Sequence, residues 1–423
     1  MVTHIAPNDV WVQVAEVLRL VREQKARTRP ELVEVSRLGR NIVSLRLQAL
    51  AALGLVTESG RGSGGGGRSA SVWQFNGSAG HALVGVFGHQ SLRIALGDLD
   101  LGIVESRRIP WELTVDPLQT CERVAAEMDD LLDKHGRPPV WGLGLGMLAP
   151  VDFRTGRSRD PVVSRAVLRW SVNFDVRAWF TRRMRLPVWV DSVSNLMAAG
   201  AAADVDAPDD LVFLLLDRGV GSGIIANGRL YRGSDWLGGE ITHVVVDPRP
   251  DRVCQCGRLG CLDTFAGAWA IEADARRAVA EGRSPYLAGI DPAAVRVSDV
   301  LAGADTGDVA CVEIVLQAAE AAGRALGSVI TWFNPRRVIV GGSGLSTSPV
   351  FQAALKRSLG TYTLSASLEA LELVVGDGDR AEELTGGLAM VREALLSPEY
   401  MAEWGPLGSP TAAPQLLERA TQA

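Results

Sequence analysis

Three cysteines, Cys254, Cys256 and Cys261, lie close together in the sequence and follow His243. Three thiolates and one imidazole complete the four ligands of a tetrahedral zinc ion and leave no position open for water or a substrate. The sequence therefore predicts a structural Zn²⁺ bound by these four residues. The alternative is a loop of unligated cysteines, which would expose clustered thiols to oxidation. Because the chain has only five cysteines, a disulfide framework is not expected.

A second group of residues, near the N-terminus, has side chains suited to reading nucleic acid. Asn41, Ser44 and Gln48 recur at helical spacing and would share one exposed helix face. The candidate contacts to DNA on this segment are Arg37, Arg40, Asn41, Ser44 and Gln48. Arg61 and Arg68 flank a glycine-rich loop and are expected at phosphates or in the minor groove. The alternatives are an ordinary solvated helix face and, for the loop, a flexible linker.

The elements that would position these side chains can be read from hydrophobic spacing. A first helix is predicted from the apolar stripe Val10, Val14, Val17, Leu18 and Val21. Pro30 suits the first turn of a second helix, which Gly39 would end. A third helix over residues 40–53 is expected to bury Ile42, Leu45, Ala49, Leu50 and Leu53. Two helices around a glycine-containing turn match a helix-turn-helix whose second helix enters the major groove.

The segment that follows the third helix predicts a wing. Residues 55–58 and 72–75 have the composition of two strands, and they bracket the glycine-rich basic loop. Residues 1–75 carry ten lysines and arginines against six acids, a balance of +4, whereas the whole chain carries −6 at pH 7. A basic head on an acidic body indicates a polyanionic partner. Residues 1–76 are therefore predicted to form a winged helix-turn-helix domain that binds double-stranded DNA.

The body, residues 80–400, has an α/β pattern in which short β-rich runs alternate with amphipathic helices. The predicted strands lie at 83–87, 92–96, 140–145, 188–190, 211–216 and 338–340. Glycine-rich turns at 142–146 and 219–223 could cradle phosphate through backbone N–H groups, but such turns also serve tight packing.

Several of these segments together resemble the signature of the ROK family, which comprises sugar kinases and sugar-responsive repressors. The signature segments are Leu-Tyr-Arg-Gly-Ser at 230–234, Gly-Glu-Ile-Thr-His at 239–243, the cysteine cluster and Leu-Asp at 262–263. Segments 150–152, 186–188, 334–342 and 384–389 follow in the family's order, so the resemblance covers nearly the whole chain. It implies an actin-like, two-lobed, sugar-kinase-type body with a cleft, whose lobes meet near 191–200. The family's repressors carry a winged helix like residues 1–76.

The resemblance also implies a set of effector-binding residues. In the family, the positions matched by Glu240, His243 and Asp263 face the hydroxyls of a sugar, and Asp263 is one methylene shorter than the usual glutamate. Carboxylates suit such hydroxyls because each accepts charge-assisted hydrogen bonds. Glu240 could instead only orient a zinc-bound His243. Trp236 could stack on a ligand or fill the hinge.

The sequence departs from the family's kinases at three places that phosphoryl transfer needs. The position of the catalytic base is Val193, which cannot accept a proton, and Asp191 is not expected to replace it. The first phosphate motif reads Phe-Gly-His-Gln-Ser at 87–91, without the acid and glycines of the kinases. The second phosphate turn reads Asp-Arg-Gly at 217–219 and introduces an acid. The protein is therefore not expected to be a kinase.

These observations favour a transcriptional regulator of a sugar-related operon, gated by a sugar-type effector in a degenerate kinase cleft. Two alternatives remain, a ligand-independent DNA-binding dimer and an ATP-dependent sugar kinase. A homodimer or homotetramer is expected because helix-turn-helix proteins bind paired half-sites. The sequence shows no membrane span or signal peptide, so the cytoplasm is the expected location. Residues 401–423 are expected to form a loose tail.

Overall fold

The computed structural model describes residues 7–61, 71–88, 91–111, 116–159, 174–204, 206–342, 344–376 and 381–417. A small N-terminal head is followed by a body with two five-stranded sheets, each covered by helices. The mixed α/β architecture confirms the predicted fold class. Among the described residues, no helix is both long enough and apolar enough to cross a membrane.

The head contains three helices and a two-stranded antiparallel sheet. In chain order these elements are α1 (Pro7–Arg22), α2 (Arg29–Ser36), α3 (Arg40–Ala52), β1 (Val56–Arg61) and β2 (Ser71–Phe75). Thr28 begins α2 with a capping box: its hydroxyl accepts the Glu31 N–H, and the Glu31 carboxylate accepts the Thr28 N–H. Arg37 ends α2 in the left-handed conformation, and Gly39 precedes α3.

The buried face of α3 includes Leu50, as predicted, but not Leu45. Leu45 is 56% exposed, whereas Val43, Leu47 and Leu50 are fully buried. Both sets of apolar residues have helical spacing, so the choice depends on packing against the neighbouring helices. Arg46 fixes the rotation of α3, because its guanidinium donates two hydrogen bonds to the Gln13 side chain of α1, at 3.1 and 2.8 Å.

The first lobe of the body is built on a sheet of strand order β5-β4-β3-β6-β9. Its elements in chain order are β3 (His81–Phe87), β4 (Ser91–Asp98), β5 (Ile103–Pro110), α4 (Pro117–Lys134), β6 (Val140–Met147), the short hairpin strands β7 (Val151–Asp152) and β8 (Arg157–Ser158), α5 (Val176–Met184) and β9 (Val188–Ser192). Strands β3, β6 and β9 run parallel, and β4 and β5 complete the sheet as an antiparallel edge.

The second lobe is built on a sheet of strand order β12-β11-β10-β13-β14. Its elements are α6 (Val193–Ala201), β10 (Leu211–Leu216), β11 (Val220–Ala226), β12 (Arg229–Tyr231), α7 (Asp263–Ala266), α8 (Ala268–Ala280), α9 (Val297–Asp305), α10 (Val309–Phe333), β13 (Arg337–Gly342), α11 (Pro349–Tyr362), α12 (Ser365–Glu369) and β14 (Glu372–Val375). All six strand segments predicted for the body lie within observed strands.

After β14 the chain returns to the first lobe as α13 (Ala381–Leu395), which packs against α6 and against β3 and β6. Gly386 lies against the Leu196 carbonyl of α6, and Gly200 lies against the Glu382 carbonyl of α13. A Cβ at either glycine would overlap these backbone atoms. The two helices therefore touch backbone to backbone, which any larger residue would prevent.

The expectation of a loose C-terminal tail differs from the structure over residues 401–417. Helix α14 (Pro398–Trp404) and the turns after it are packed, with Met401, Trp404 and Leu416 buried. The Trp404 indole donates to the Leu395 carbonyl at 2.8 Å, and its ring lies 5.5 Å from that of Trp141. A few large apolar side chains among prolines, alanines and glycines are enough to dock this segment. Residues 418–423 lie outside the described residues.

Candidate functional site

The four residues of the predicted metal site come together in the second lobe. The ligand atoms of His243, Cys254, Cys256 and Cys261 all lie within 4.8 Å of one another. The Cys254 Sγ lies 3.6 Å from the His243 Nδ1, and the Cys256 Sγ lies 3.7 Å from the Cys261 Sγ. Four ligands around one tetrahedral zinc ion would lie about 3.7 Å apart. The spacing and chemistry of these donors therefore fit a metal ion.

The loop that carries the cysteines is held by backbone pairing and by a buried arginine. The Cys254 N–H donates to the Arg258 carbonyl at 2.8 Å, and Gly257 turns the chain at φ 85°. Arg252, 7% exposed, forms an ion pair with Asp274 of α8 at 2.8 Å and donates to the Thr264 carbonyl at 2.8 Å. These contacts fix the start of the loop against α7 and α8.

The thiols of the cluster differ in acidity. Burial raises the pKa of Cys254 to about 12 and also raises the pKa of Cys261. Burial acts in the same direction on Cys256, but hydrogen bonds, led by the one from the Arg258 N–H, lower its pKa overall. A metal ion at the centre of the cluster would stabilise all three thiolates, because metal ligands must be deprotonated.

The three candidate effector residues lie around the same loop. Glu240 precedes a short 3₁₀ turn that ends at His243, and both residues are half-buried. Asp263 begins α7 and is 7% exposed; its two carboxylate oxygens accept the Val220 N–H at 3.0 Å and the Trp269 indole N–H at 2.9 Å. Burial raises the pKa of Asp263. Asp263 therefore joins α7 and α8 to the start of β11 through its own hydrogen bonds.

Asp191, at the end of β9, is fully buried and forms contacts that the sequence did not predict. It accepts hydrogen bonds from the Ser192 N–H at 2.8 Å and from the Asn195 amide at 2.7 Å. Its other oxygen pairs with Arg232 Nε at 2.7 Å. The Arg232 guanidinium also lies 3.9 Å from the ring centre of Phe153, in the first lobe. Arg232, which follows β12, therefore contacts the first lobe twice; its only sequence signal was its place in segment 230–234.

Trp236 also contacts the first lobe. Its ring lies 6.1 Å from that of Phe153, and nearby Asp235 pairs with Arg159 at 3.0 Å. Trp236 has a φ of 65°, a left-handed conformation that costs an L-residue roughly 1–2 kcal/mol. Of the two roles open at the sequence level, stacking on a ligand or filling the hinge, the observed aromatic contact matches a packing role between the lobes.

The position that the family resemblance assigns to a catalytic base lies at a small pocket in the first lobe. Val193 is 4% exposed there, beside Gly88 and Ser91 of the first phosphate motif. Glu383 of α13, 1% exposed, pairs with Arg93 of β4 at 3.1 Å in the same pocket. The pocket therefore contains an apolar side chain and an internal ion pair. The loop residues 89–90 lie outside the described residues.

The residues predicted to contact DNA lie mainly along α3. Arg40, Asn41 and Gln48 are exposed on this helix, with Arg37 exposed just before it, and Ser44 is half-buried. Arg61 ends β1, where its backbone pairs with Ser71. The Arg61 side chain and all of Arg68 lie outside the described residues.

The head is joined to the body through the C-terminal segment. Helix α1 packs along α14, and the ring of Trp11 lies against Gly405. Arg22 of α1 pairs with Glu393 of α13 at 2.9 Å. Apolar residues of the head, of the C-terminal segment and of α6 and α13 form one continuous core.

The family model for the ROK family matches residues 84–394. The chain belongs to the ROK family. The sequence resemblance is thereby confirmed, and the match covers both lobes of the body and most of α13.

Relatives of this ROK protein include both of the family's functional branches. It is 26% identical over 396 residues to the xylose repressor of Caldicellulosiruptor bescii, covering 91% of this chain and 96% of that protein. It is 27% identical over 290 residues to the glucokinase of Halalkalibacterium halodurans, covering 66% of this chain and 86% of that enzyme. The similarity to the repressor therefore extends over much more of this ROK chain than the similarity to the kinase.

Among solved structures, this ROK chain resembles a ROK family transcriptional regulator that is a homologue of the Escherichia coli MLC protein. The TM-score is 0.78 at 21% identity, and the match covers 98% of this chain and 100% of that one. At this identity the likeness establishes the fold, including the head and the body together.

Proposed function

We propose that this ROK protein is a DNA-binding transcriptional regulator whose body binds a sugar-type effector and does not transfer phosphate. The observation that carries the proposal is the combination of a helix-turn-helix with an exposed polar α3 and a ROK body that has Val193 at the base position. The similarity over nearly the full length of a xylose repressor supports the same function.

In this proposal α3 enters the major groove. Arg40, Asn41 and Gln48 are exposed and can reach base edges or phosphates, Ser44 lies on the same side, and Arg37 lies at the entrance to the helix. The wing residues Arg61 and Arg68 are proposed to contact the backbone or minor groove. The protein is proposed to act as a homodimer or homotetramer on paired half-sites of double-stranded DNA.

Phosphoryl transfer is not supported by the pocket around Val193. A valine cannot remove the proton of an attacking hydroxyl. The Glu383 carboxylate also occupies Arg93 in an ion pair beside Gly88 and Ser91, so the cation in this pocket is already engaged where a kinase would need to bind phosphate groups. We therefore propose that the protein is not an enzyme.

The cysteine cluster is proposed to bind a structural Zn²⁺. His243, Cys254, Cys256 and Cys261 would hold the ion, and together they fill all four positions of a tetrahedron. The ion would stiffen the loop that also carries Glu240. Glu240, His243 and Asp263 are the proposed effector-binding residues. The zinc would thus favour effector binding indirectly, by holding the loop in the conformation that positions these residues.

Effector binding can reach the head through α13. One end of this helix carries Glu383, next to Val193 at the start of α6, and its other end carries Glu393, which pairs with Arg22 of the head. Because α6 and α13 touch backbone to backbone, a movement of α6 on closure of the cleft would also move α13. The effector-free and effector-bound states would then differ in the position of α3. Allosteric control of operator affinity requires such a difference between two states.

A second candidate function, ligand-independent DNA binding, is favoured by one observation. The Asp263 carboxylate already accepts hydrogen bonds from two protein groups, so a sugar would have to replace one of them or share the remaining acceptor positions. This candidate has the same DNA interface but no response to small molecules.

The test has two parts. Binding sites are first selected from random double-stranded DNA with the full-length protein, and melting temperatures are then measured with a panel of free sugars, phosphorylated sugars and ATP. We expect DNA binding, and a rise in melting temperature with one sugar that also changes DNA affinity. DNA binding without any response to the panel would favour the second candidate, whereas no DNA binding, or stabilisation by ATP, would contradict the proposal.

A further inference from the structure

Leu45 is a large apolar side chain on the exposed face of α3. We infer that Leu45 contacts the methyl group of a thymine in the major groove, so that each half-site contains an A·T pair at the position facing this residue. The inference rests on the proposed DNA-binding function and adds a specificity-determining residue to it.

The position of Leu45 on the helix carries the inference. Residues three and four apart are neighbours on a helix surface, so Leu45 lies beside Asn41 and Gln48, which are both exposed. The buried residues Val43 and Leu47 are two positions away on either side, and a separation of two residues turns a side chain by roughly 200° around the helix axis. Leu45 therefore points away from the core of the head and is 56% exposed.

The rotation that exposes Leu45 is fixed by the fold. The guanidinium of Arg46 is tied to Gln13 of α1, and the buried side of α3 is closed by Val43, Leu47 and Leu50. The leucine cannot turn inward without breaking these contacts. Its side chain is therefore held on the same surface as the polar residues proposed to read bases.

The chemistry of the major groove identifies the partner of this side chain. The thymine C5-methyl group is the apolar feature among the base edges, which otherwise present hydrogen-bond donors and acceptors. Asn41 and Gln48 have the amide groups that can pair with adenine, and Leu45 between them cannot form a hydrogen bond. Burying one methyl group against a leucine is worth about a fourfold gain in affinity.

The experiment uses the full-length protein and the half-site selected from random DNA. Each thymine of the half-site is replaced in turn by deoxyuridine, which removes the methyl group and keeps the base pairing. In the wild type, one replacement is expected to weaken binding about fourfold. In Leu45→Ala the thymine and deoxyuridine sites are expected to bind equally, whereas Leu45→Met should retain a preference for thymine.

The control variant is Leu364→Ala, which makes the same change at a leucine that is 62% exposed on the body. It should retain the full thymine preference. Alanine suits an exposed helix position, so Leu45→Ala is expected to fold. If the protein binds DNA but no deoxyuridine replacement matters, or if Leu45→Ala retains the same preference, the inference is wrong while the proposed function stands. If no DNA is bound by the wild type, the proposed function itself fails.

Discussion

Arg22 of α1 and Glu393 of α13 form an ion pair between the head and the body, with Nη1 2.9 Å from Oε1. The Arg22 side chain is only 11% exposed, so the pair lies at the edge of a packed contact. The opposite end of α13 carries Glu383, which pairs with Arg93 of β4. A helix of 15 residues, about 22 Å long, therefore connects the pocket beside Val193 with the N-terminal head.

We predict that Arg22→Ala weakens the effect of the effector on DNA affinity. A partly exposed ion pair contributes at most about 1 kcal/mol to stability, so the variant should fold and bind DNA. The measurement is operator affinity with and without effector. The control is Arg19→Ala, because Arg19 pairs with Glu16 and Glu23 of its own helix. An equal effector response in both variants would show that this ion pair does not couple the head to the body.

Trp404→Ala should destabilise the whole protein. Trp404 is fully buried, donates to the Leu395 carbonyl and packs on Trp141, so its removal leaves a large cavity and costs about 3–5 kcal/mol. The free energy of unfolding is measured by chemical denaturation. Trp332, which is 84% exposed at the end of α10, gives the matched control, and Trp332→Ala should change stability by less than about 0.5 kcal/mol. Similar losses in both variants would contradict the packed arrangement of α14.

One zinc ion per chain is expected in the purified protein, and Cys256→Ser should lose it. Because the ion would connect His243 with the cysteine loop, its removal by a chelator should lower the melting temperature and weaken the response to the effector. Zinc content is measured by a colorimetric chelator after denaturation. Cys121→Ala is the control, since Cys121 is buried in the first lobe and should leave the zinc in place. Full zinc content in Cys256→Ser would argue against the four-ligand site.

The protein should release no ADP from ATP with any hexose. Val193→Asp restores an acid at the base position but should remain inactive, because Glu383 and the altered phosphate motifs remain. The added carboxylate would replace a valine that is 4% exposed, and an unpaired buried charge of this kind destabilises strongly. ADP formation is followed with a coupled assay and melting by thermal scan. ADP formation by the wild-type protein would contradict the prediction and would show that it is a sugar kinase.

The capping box of α2 should make the stability of the head depend on pH. Hydrogen bonds from the Arg27 and Thr28 N–H groups lower the pKa of Glu31 in the folded protein. Its carboxylate therefore stabilises the head fully above the unfolded pKa of about 4.3, and this contribution is lost as the pH falls through the lowered folded pKa. At neutral pH the wild type should have a higher melting temperature than Glu31→Gln. This difference should shrink as the pH is lowered to acidic values.

Glu34→Gln is the control for the pH series, because Glu34 is exposed on the same helix and makes no capping contact. Its difference from the wild type should be small at every pH. A constant difference between the wild type and Glu31→Gln across the series would contradict the capping role of Glu31.

Those parts of the fold that depend on local patterns could be predicted from the sequence. Runs of apolar residues identified the strands, Pro30 marked the first turn of α2, and Gly39 marked the break between α2 and α3. The clustering of His243 with the three cysteines was also predictable, because Cys254, Cys256 and Cys261 are close in sequence and have few other roles. The order of the ROK signature segments along the chain predicted a body with two lobes.

Features that depend on tertiary packing could not be predicted. The sequence allowed two apolar faces on α3, and only contact with α1 selects the one that exposes Leu45. The hydrogen bonds that Asp263 receives from Val220 and Trp269 join residues from different elements. Trp404 lies in a segment whose composition resembles a disordered tail, so its docking required knowledge of the partner surface.

The continuous core between α1 and the C-terminal segment has a consequence for synthesis of the protein. The head leaves the ribosome well before residues 398–405, against which α1 and Trp11 pack. A nascent chain can therefore form the helix-turn-helix early without fixing its orientation. For the DNA binding proposed above, the head therefore acquires a fixed orientation only after α14 has been synthesised, and a chain that ends before α14 would not compete with the longer protein for its sites.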